Sequence, residues 1–242
     1  MKSAAQIRKL LYLDTYGWIA VAALIICSVS GTLLVIPYNI NEPYLSISRL
    51  ITANPFASFI RNIHYWSAHI FLVFTLIHLY DHLKQGNETN IRRHGIWLRL
   101  VLSVLFIFYV MLSGFILKGD GDGMQAHRIF STLLSSLPII GSSLQQTFIG
   151  YEADFQILYI QHAATATIFL FIVVFEHARS LRVHGRTFFI ILFFVLLLSF
   201  IFRAPLHGLE DDVMKGPWYF IGLQEVLHWI ANPLIVMTFV ID

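Results

Sequence analysis

Four histidines in two apolar stretches stand at spacings that suit a metal-bearing cofactor. His64 and His78 are 14 residues apart; His162 and His177 are 15 apart. On an α-helix 14 residues turn through about 1400°, some 40° short of four turns, and rise roughly 21 Å. Fifteen residues go about 60° past four turns and rise roughly 22 Å. Each pair therefore shares a helix face at two depths. With both stretches running from outside to inside, His64 is level with His162 and His78 with His177. Two imidazoles facing each other at one depth suit six-coordinate haem iron with both axial positions filled. Such a haem carries electrons and binds no small gas. Zinc or copper would need its ligands gathered at one depth. A single intramembrane His is as often a hydrogen-bonded packing residue; four in matched pairs are poorly explained that way.

Other histidines compete less well. His82 is 18 residues after His64 and shares its face, but it rises about 27 Å and reaches the polar edge Asp81-His82-Leu83-Lys84. His69 points about 140° away from His64. His94, His127 and His184 stand in polar or loop contexts.

The elements that must carry these residues cross a membrane. The chain has 242 residues, 57% apolar and 12% charged, with a mean hydropathy of +0.71 and 21 Phe. A soluble domain carries about 25% charge, so a soluble single domain is excluded, and disorder with it. Five apolar runs reach or approach the ~20 residues of a spanning helix: about 16–37, 60–83, 95–117, 155–179 and 187–202. A sixth, from Trp218 to Ile241, is interrupted by His228 and Pro233. Continuous runs speak against a β-barrel. The fold expected is an all-α integral membrane protein: a four-helix bundle over 1–185, with one or two further helices over 186–242. The segment 120–150 is too long for a hairpin and holds amphipathic pieces suited to short helices on the membrane surface. The single Cys27 leaves no disulfide, Cys-zinc or iron–sulfur site within the chain. No short apolar run with a small-residue cleavage site follows Met1-Lys2, so no cleaved signal peptide is expected.

Loop charge sets the expected orientation. A cytoplasmic N-terminus puts ten of the 16 Lys and Arg inside and six outside, with Asp120, Asp122, Glu152, Asp154, Glu210, Asp211 and Asp212 outside. The positive-inside rule favours that arrangement. A prokaryotic cytoplasmic or similar energy-transducing membrane is the expected location.

Glycines fit the same picture. Gly17 and Gly31 in the first span are also 14 apart, and Gly114 lies near the outer end of the third. A missing side chain lets a flat ring approach the backbone; tight packing through small residues is the alternative.

Together these residues resemble the cytochrome b subunit of the bc-type quinol-oxidising complexes, most closely its short, plastid-type form. The family's R-x-x-H-x-W-S-A motif stands here as Arg61 to Ala68. Its 14- and 15-residue His spacings, its first-helix glycines, and its third-helix Arg and Trp (Arg93 and Trp97, with Gly114 beyond) are also present. Pro138-Ile139-Ile140-Gly141-Ser142 resembles its surface-helix segment, and Pro217-Trp218-Tyr219-Phe220 its outer quinol-site P-E-W-Y-F. The resemblance implies two non-covalent b-type haems on His64, His78, His162 and His177, and a bound quinone. It makes Arg61 and Arg93 candidates for the haem propionates and places Arg182 beside an inner quinone site, although Arg182 also reads as a plain topology charge.

Departures are as specific as matches. The short form binds an extra haem through a Cys at the start of helix one; Thr15 and Gly17 stand there. The family's Arg ahead of the first His of helix four is absent, with Ile157 in that region. Leu100 stands for a usual Gly, and L-P-W becomes Leu117-Lys118-Gly119. The acid of P-E-W-Y is gone, and Pro217 takes its place. Glu225, Glu210 to Asp212, His207 and His228 are the nearby groups that could handle protons instead.

The function expected is transmembrane electron transfer between a quinone pool and a partner redox subunit, a c-type cytochrome or a Rieske-type protein. A further membrane subunit is expected to complete the core within a multi-subunit complex, a dimer being one form of it. Membrane lipid is the remaining partner, and no nucleic acid is expected. Two rivals are a di-haem anchor of another respiratory oxidoreductase, passing electrons from an outer c-type cytochrome to quinone, and a transporter with structural histidines.

Overall fold

The computed structural model of the chain describes residues 4–84, 94–150, 154–177, 185–209 and 215–229. All regular structure among them is helical. Four helices are long and apolar enough to cross a membrane: Thr15–Val35 within α1 (Ala4–Val35), α3 (Pro55–Lys84), Leu98–Ile116 within α4 (His94–Ile116), and Gln156–His177. The last comprises α7 (Gln156–Ile160), a π turn over Gln161–Thr165, and α8 (Ala166–His177). A shorter apolar helix, α9 (Gly185–Ile201), follows. The expected spans are all present within a few residues, except that the sixth is described only to residue 229, as α10 (Ile221–Trp229) after a single 3₁₀ turn at Trp218–Phe220. The chain is an all-α integral membrane protein.

Two compact units divide the chain. The first comprises Met1–Ile36, Leu50–Ile107 and Ile168–Ala204. In it α1, α3 and α9 pack on one another. Ala20, Ala22 and Ala23 are buried on α1, and such small residues let helix backbones approach where no hydrophobic effect drives them together. Ser67, Phe71 and Leu72 are buried on α3, and Ile191, Val195 and Ser199 on α9. Outward, α9 shows Phe189, Phe193, Phe194 and Phe200, as a lipid-facing helix does.

A helix end leaves four carbonyls without intrahelical partners, which is costly in a bilayer. Here the end of α9 is closed by α3. Asn62 donates Nδ2–H to the Ser199 carbonyl (3.1 Å) and accepts from the Ala204 amide (2.9 Å). Arg61 donates to the Ala204 carbonyl (2.9 Å), and Trp66 Nε1–H to that of Phe202 (2.9 Å). Three residues of the Arg61–Ala68 stretch thus clasp the helix end. Asn62 is buried, so Asn62→Leu strands a buried amide and carbonyl, at about 1–3 kcal/mol each. The expected result is a lower thermal midpoint in detergent, while Ala53→Ser, exposed at the end of the short helix α2 (Pro43–Ala53), stays close to wild type.

The second unit comprises Pro37–Arg49, Phe108–Thr167 and Pro205–Asp242. Its core is Leu112, Ile116, Leu117, Ala126, Ile149, Phe155 and Leu158. The stretch 120–150 forms two short helices, α5 (Gly121–Ser135) and α6 (Gly141–Phe148), as the amphipathic pattern predicts. Asp120 caps α5 by accepting the Gly123 amide, the usual role of an N-terminal Asp. Tyr38 donates to the Leu117 carbonyl (2.9 Å) and stacks on Tyr159 at 5.3 Å between ring centroids. Burial holds its phenol well above the ordinary tyrosine range, so it remains a donor. Gly119 sits at φ +65°, where an added Cβ would lie 2.7 Å from that of Pro43. The Lys118-Gly119 pair therefore reflects a backbone demand. Helix α2 was not anticipated: its apolar pattern is short, and only Pro43 at its first position signals it.

Candidate haem site and the groove beside Pro217

The candidate ligand histidines sit in cradles made by glycine. His64, on α3, lies against Gly31 of α1; a Cβ there would come within 2.8 Å of His64 Cε1. Nδ1 of His64 lies 2.9 Å from the carbonyl of Cys27, four residues before that glycine, and 3.5 Å from Ser30 Oγ. His162, on the π turn, repeats the arrangement with α4. A Cβ on Gly114 would come within 2.8 Å of its Cε1. Its Nδ1 lies 3.0 Å from the carbonyl of Val110, again four residues before the glycine, and 3.0 Å from Ser113 Oγ. The cause is helix geometry. The carbonyl of residue i is covered by the side chain of residue i+4, so only a glycine there lets an imidazole reach it. Both cradles read Ser-Gly on the receiving helix. With Nδ1–H donated to a carbonyl, Nε2 is the ring nitrogen left to bind a metal, the usual way a ligand His is fixed. The space beside each glycine thus holds the imidazole itself, a use the sequence reading assigned to a flat ring.

His78 lies against Gly17 in the same manner, a Cβ there falling 3.1 Å from His78 Cε1. Gly17 and Gly31 on α1 therefore meet His78 and His64 on α3, and the two 14-residue intervals match because the helices run antiparallel. The rings of His78 and His177 are 6.1 Å apart at 71°. Two imidazoles on opposite sides of one metal ion, with bonds of about 2.0–2.1 Å, put their centroids about 6 Å apart. The His82 ring packs on that of His78 at 4.4 Å, so it adjoins this pair. The donor set fits bis-histidine haem: imidazoles fixed at Nδ1 in the two complete cradles, and paired at metal-bridging distance in the third.

The π turn supplies what sequence could not. A π turn takes up one residue more than an α turn, so 15 residues with one π turn advance as about 14 do in a regular helix. The longer His162–His177 interval then has the phase of the His64–His78 interval. Thr167 donates Oγ1–H to the His162 carbonyl at 2.5 Å across the widened turn.

Arg61 spends one Nη1–H on the Ala204 carbonyl; a guanidinium carries five N–H donors, so that bond is compatible with a propionate partner. Arg93 and Arg182 lie outside the described residues. Of the P-E-W-Y-like segment, Pro217 is buried and lines a small groove, about 30 Å³ in volume, with Asp122, Ala126, Phe130, Phe220 and Gln224. Trp218 is half exposed, Tyr219 donates its hydroxyl to the Met111 carbonyl (3.0 Å), and neither lines the groove. Glu225 is exposed on α10 and also lies off the lining.

Asp122 is buried and fully engaged. Its Oδ1 accepts the Lys215 amide (2.9 Å), and its Oδ2 lies 2.5 Å from His207 Nδ1. Asp120, Asp122 and His207 present their ligand atoms within 4.8 Å of one another. Lys118 Nζ stands 2.8 Å from Asp120 Oδ2, which also accepts the His207 amide at 3.1 Å. Ammonium and amides thus already serve this cluster, which ties His207 and Lys215 to the start of α5. No sequence signal joins Asp122 to a residue 85 positions away.

A family model described as cytochrome b/b6/petB matches residues 2–185. Cytochrome b6 of Prochlorococcus marinus (strain NATL1A) is 25% identical over 139 residues, 57% of this chain and 63% of that protein. Cytochrome b6 of Synechococcus sp. (strain JA-3-3Ab) is 26% identical over the same length, covering 64% of that protein. Cytochrome b of Dictyostelium discoideum is 23% identical over an alignment of 265 positions, covering 93% of this chain and 68% of that one. The chain thus aligns with under two thirds of the length of the cytochrome b6 relatives.

Proposed function

We propose, since the chain belongs to the cytochrome b/b6 family, that it carries electrons across a membrane through two b-type haems, one bound by His64 and His162 and one by His78 and His177. A haem iron held by two imidazoles exchanges one electron at a time and offers no open position for a substrate. What this chain supplies is position and tuning. The Cys27 and Val110 carbonyls fix the tautomer of His64 and His162 and raise the basicity of the metal-binding nitrogen. Gly17, Gly31 and Gly114 admit the rings. Arg61 and Arg93 would pair with propionates, for which a guanidinium fork is well shaped. The observation that carries this reading is the matched cradle: a Ser-Gly pair on each of two helices, with the histidine bonded to the carbonyl four residues before the glycine.

A quinone headgroup bound beside Pro217 completes the function. Apolar side chains and a few polar groups line the groove there. The N-terminus lies on the cytoplasmic side, which puts the groove outside, and Arg182 serves an inner quinone site. Electrons pass to or from a Rieske-type or c-type partner within a multi-subunit complex in an energy-transducing membrane. In proteoliposomes with dithionite enclosed and ferricyanide outside, the purified complex should carry electrons outward at a rate at least tenfold above empty vesicles. The His177→Leu complex should fall to the vesicle background. Equal rates with and without the complex would contradict the proposal.

A further inference from the structure

We infer that Thr167 is a positioning residue for His162: its hydroxyl holds open the π turn that seats this ligand, and the turn carries one residue that the chain can lose without losing haem. The inference rests on the reading of His162 and His177 as haem ligands. Three observations converge. The Ala166 amide bonds the carbonyl of Gln161, five residues back, where an α-helix bonds four back. A helical threonine ordinarily returns its hydroxyl to the carbonyl three or four residues back; Thr167 donates to that of His162, five back, at 2.5 Å. Gln161 donates Nε2–H to the Thr147 carbonyl of α6 (3.0 Å), so the other end of the turn is tied down as well. Between these anchors His162 keeps its Nδ1 on the Val110 carbonyl (3.0 Å).

The physical need is specific. Where π spacing gives way to α spacing, the amides pass over one carbonyl, and in a bilayer no water serves it. Thr167 brings a hydroxyl to the carbonyl next after that of Gln161, the one belonging to His162. The widened form is thereby kept where it sets the phase of the ligand. With it, the 15-residue interval from His162 to His177 advances as about 14 residues do; as regular helix it would overshoot by about 100°, which carries one ring off its partner. The residues inside the turn contribute little packing: Ala163, Ala164 and Thr165 are exposed. Removing Ala164 leaves 14 residues of plain α-helix, with both ligands on the same faces and no cavity behind.

The test uses the purified complex, with haem counted as pyridine haemochrome and the low-spin ferric signals followed by EPR. Deletion of Ala164 should retain two haems per chain. Deletion of Val73 shortens the His64–His78 interval of the regular helix α3 from 14 residues to 13. It should lose at least one haem, because no widened turn there gives a residue back. In the undeleted chain Thr167→Val should shift the EPR signal and midpoint potential of the His64–His162 haem. It should also speed transfer of that haem to an excess of a haem-scavenging protein about tenfold, since loss of an outer partner commonly costs about 10–100-fold in metal affinity. Thr167→Ser keeps the hydroxyl and should match wild type. In the Ala164-deleted chain Thr167→Val should change nothing, because no widened turn is left to hold; a mere packing role would show the same effect in both chains. An equal effect in both chains, or haem loss on deleting Ala164 as large as on deleting Val73, would overturn the inference, and so would wild-type behaviour of Thr167→Val. Should the Ala164-deleted chain fail to assemble, Thr167→Val against Thr167→Ser decides alone. A wild-type complex without b-type haem would instead overturn the haem reading itself.

Discussion

Replacing His78 by Leu should halve the haem of the purified protein, from two b haems per chain to one. His78 faces His177 at 6.1 Å and leans on the gap left by Gly17. Leu keeps the volume and removes the donor nitrogen, so His177 is left with half a coordination pair. Among the described residues His82 is the neighbour that could step in, since its ring packs on that of His78 at 4.4 Å. It lies one helical turn further on, about 6 Å along the axis, and no glycine on α1 is placed to receive its ring. The other haem should persist, because the His64 and His162 cradles use different glycines and carbonyls. Pyridine haemochrome content per chain measures this directly. Two haems retained in His78→Leu would mean that the inner pair is wrongly assigned.

Gly114→Val and Gly31→Val should each remove the other haem. An added Cβ would fall 2.8 Å from the Cε1 of His162 or His64, well inside contact distance, and the obstacle is a ring held on its far side. The ring must move, and the Nδ1 bond to Val110 or Cys27 breaks with it. Losing that bond leaves a buried ring nitrogen unsatisfied, at about 1–3 kcal/mol, before any cost to metal binding. Loss of such outer partners commonly lowers metal affinity about 10–100-fold. Haem content should drop to one per chain in either variant. Gly185→Ala, where an added Cβ meets nothing within 4 Å, should retain both. Full haem content in Gly114→Val would contradict the cradle.

The histidine and glycine spacings were legible because they rest on helical periodicity, which the sequence carries locally. His64 and His78 could be placed on a face by counting, and Gly17 and Gly31 at matching depths by the same count. What counting missed had non-local causes. The π turn at Gln161–Thr165 has no residue signature; Ala and Thr there suit an α-helix equally, and the widened turn shows only in the backbone. The clasp of Asn62 on α9 joins residues 137 and 142 positions apart, so Asn62 read as one polar member of an apolar run. Asp122 and His207 are joined in the same way. Both were visible as titratable groups, and nothing in their local context set them apart from the loop charges around them.

The proposed function requires that this chain hold two low-spin b haems, each between two histidines. A potentiometric titration of the purified complex, followed by visible and low-temperature EPR spectra, tests it most directly. The expected result is two one-electron steps, each carrying about half of the b-type α-band, with low-spin ferric signals from both haems. A single step, a high-spin ferric signal from an open coordination position, or no α-band on reduction would contradict it.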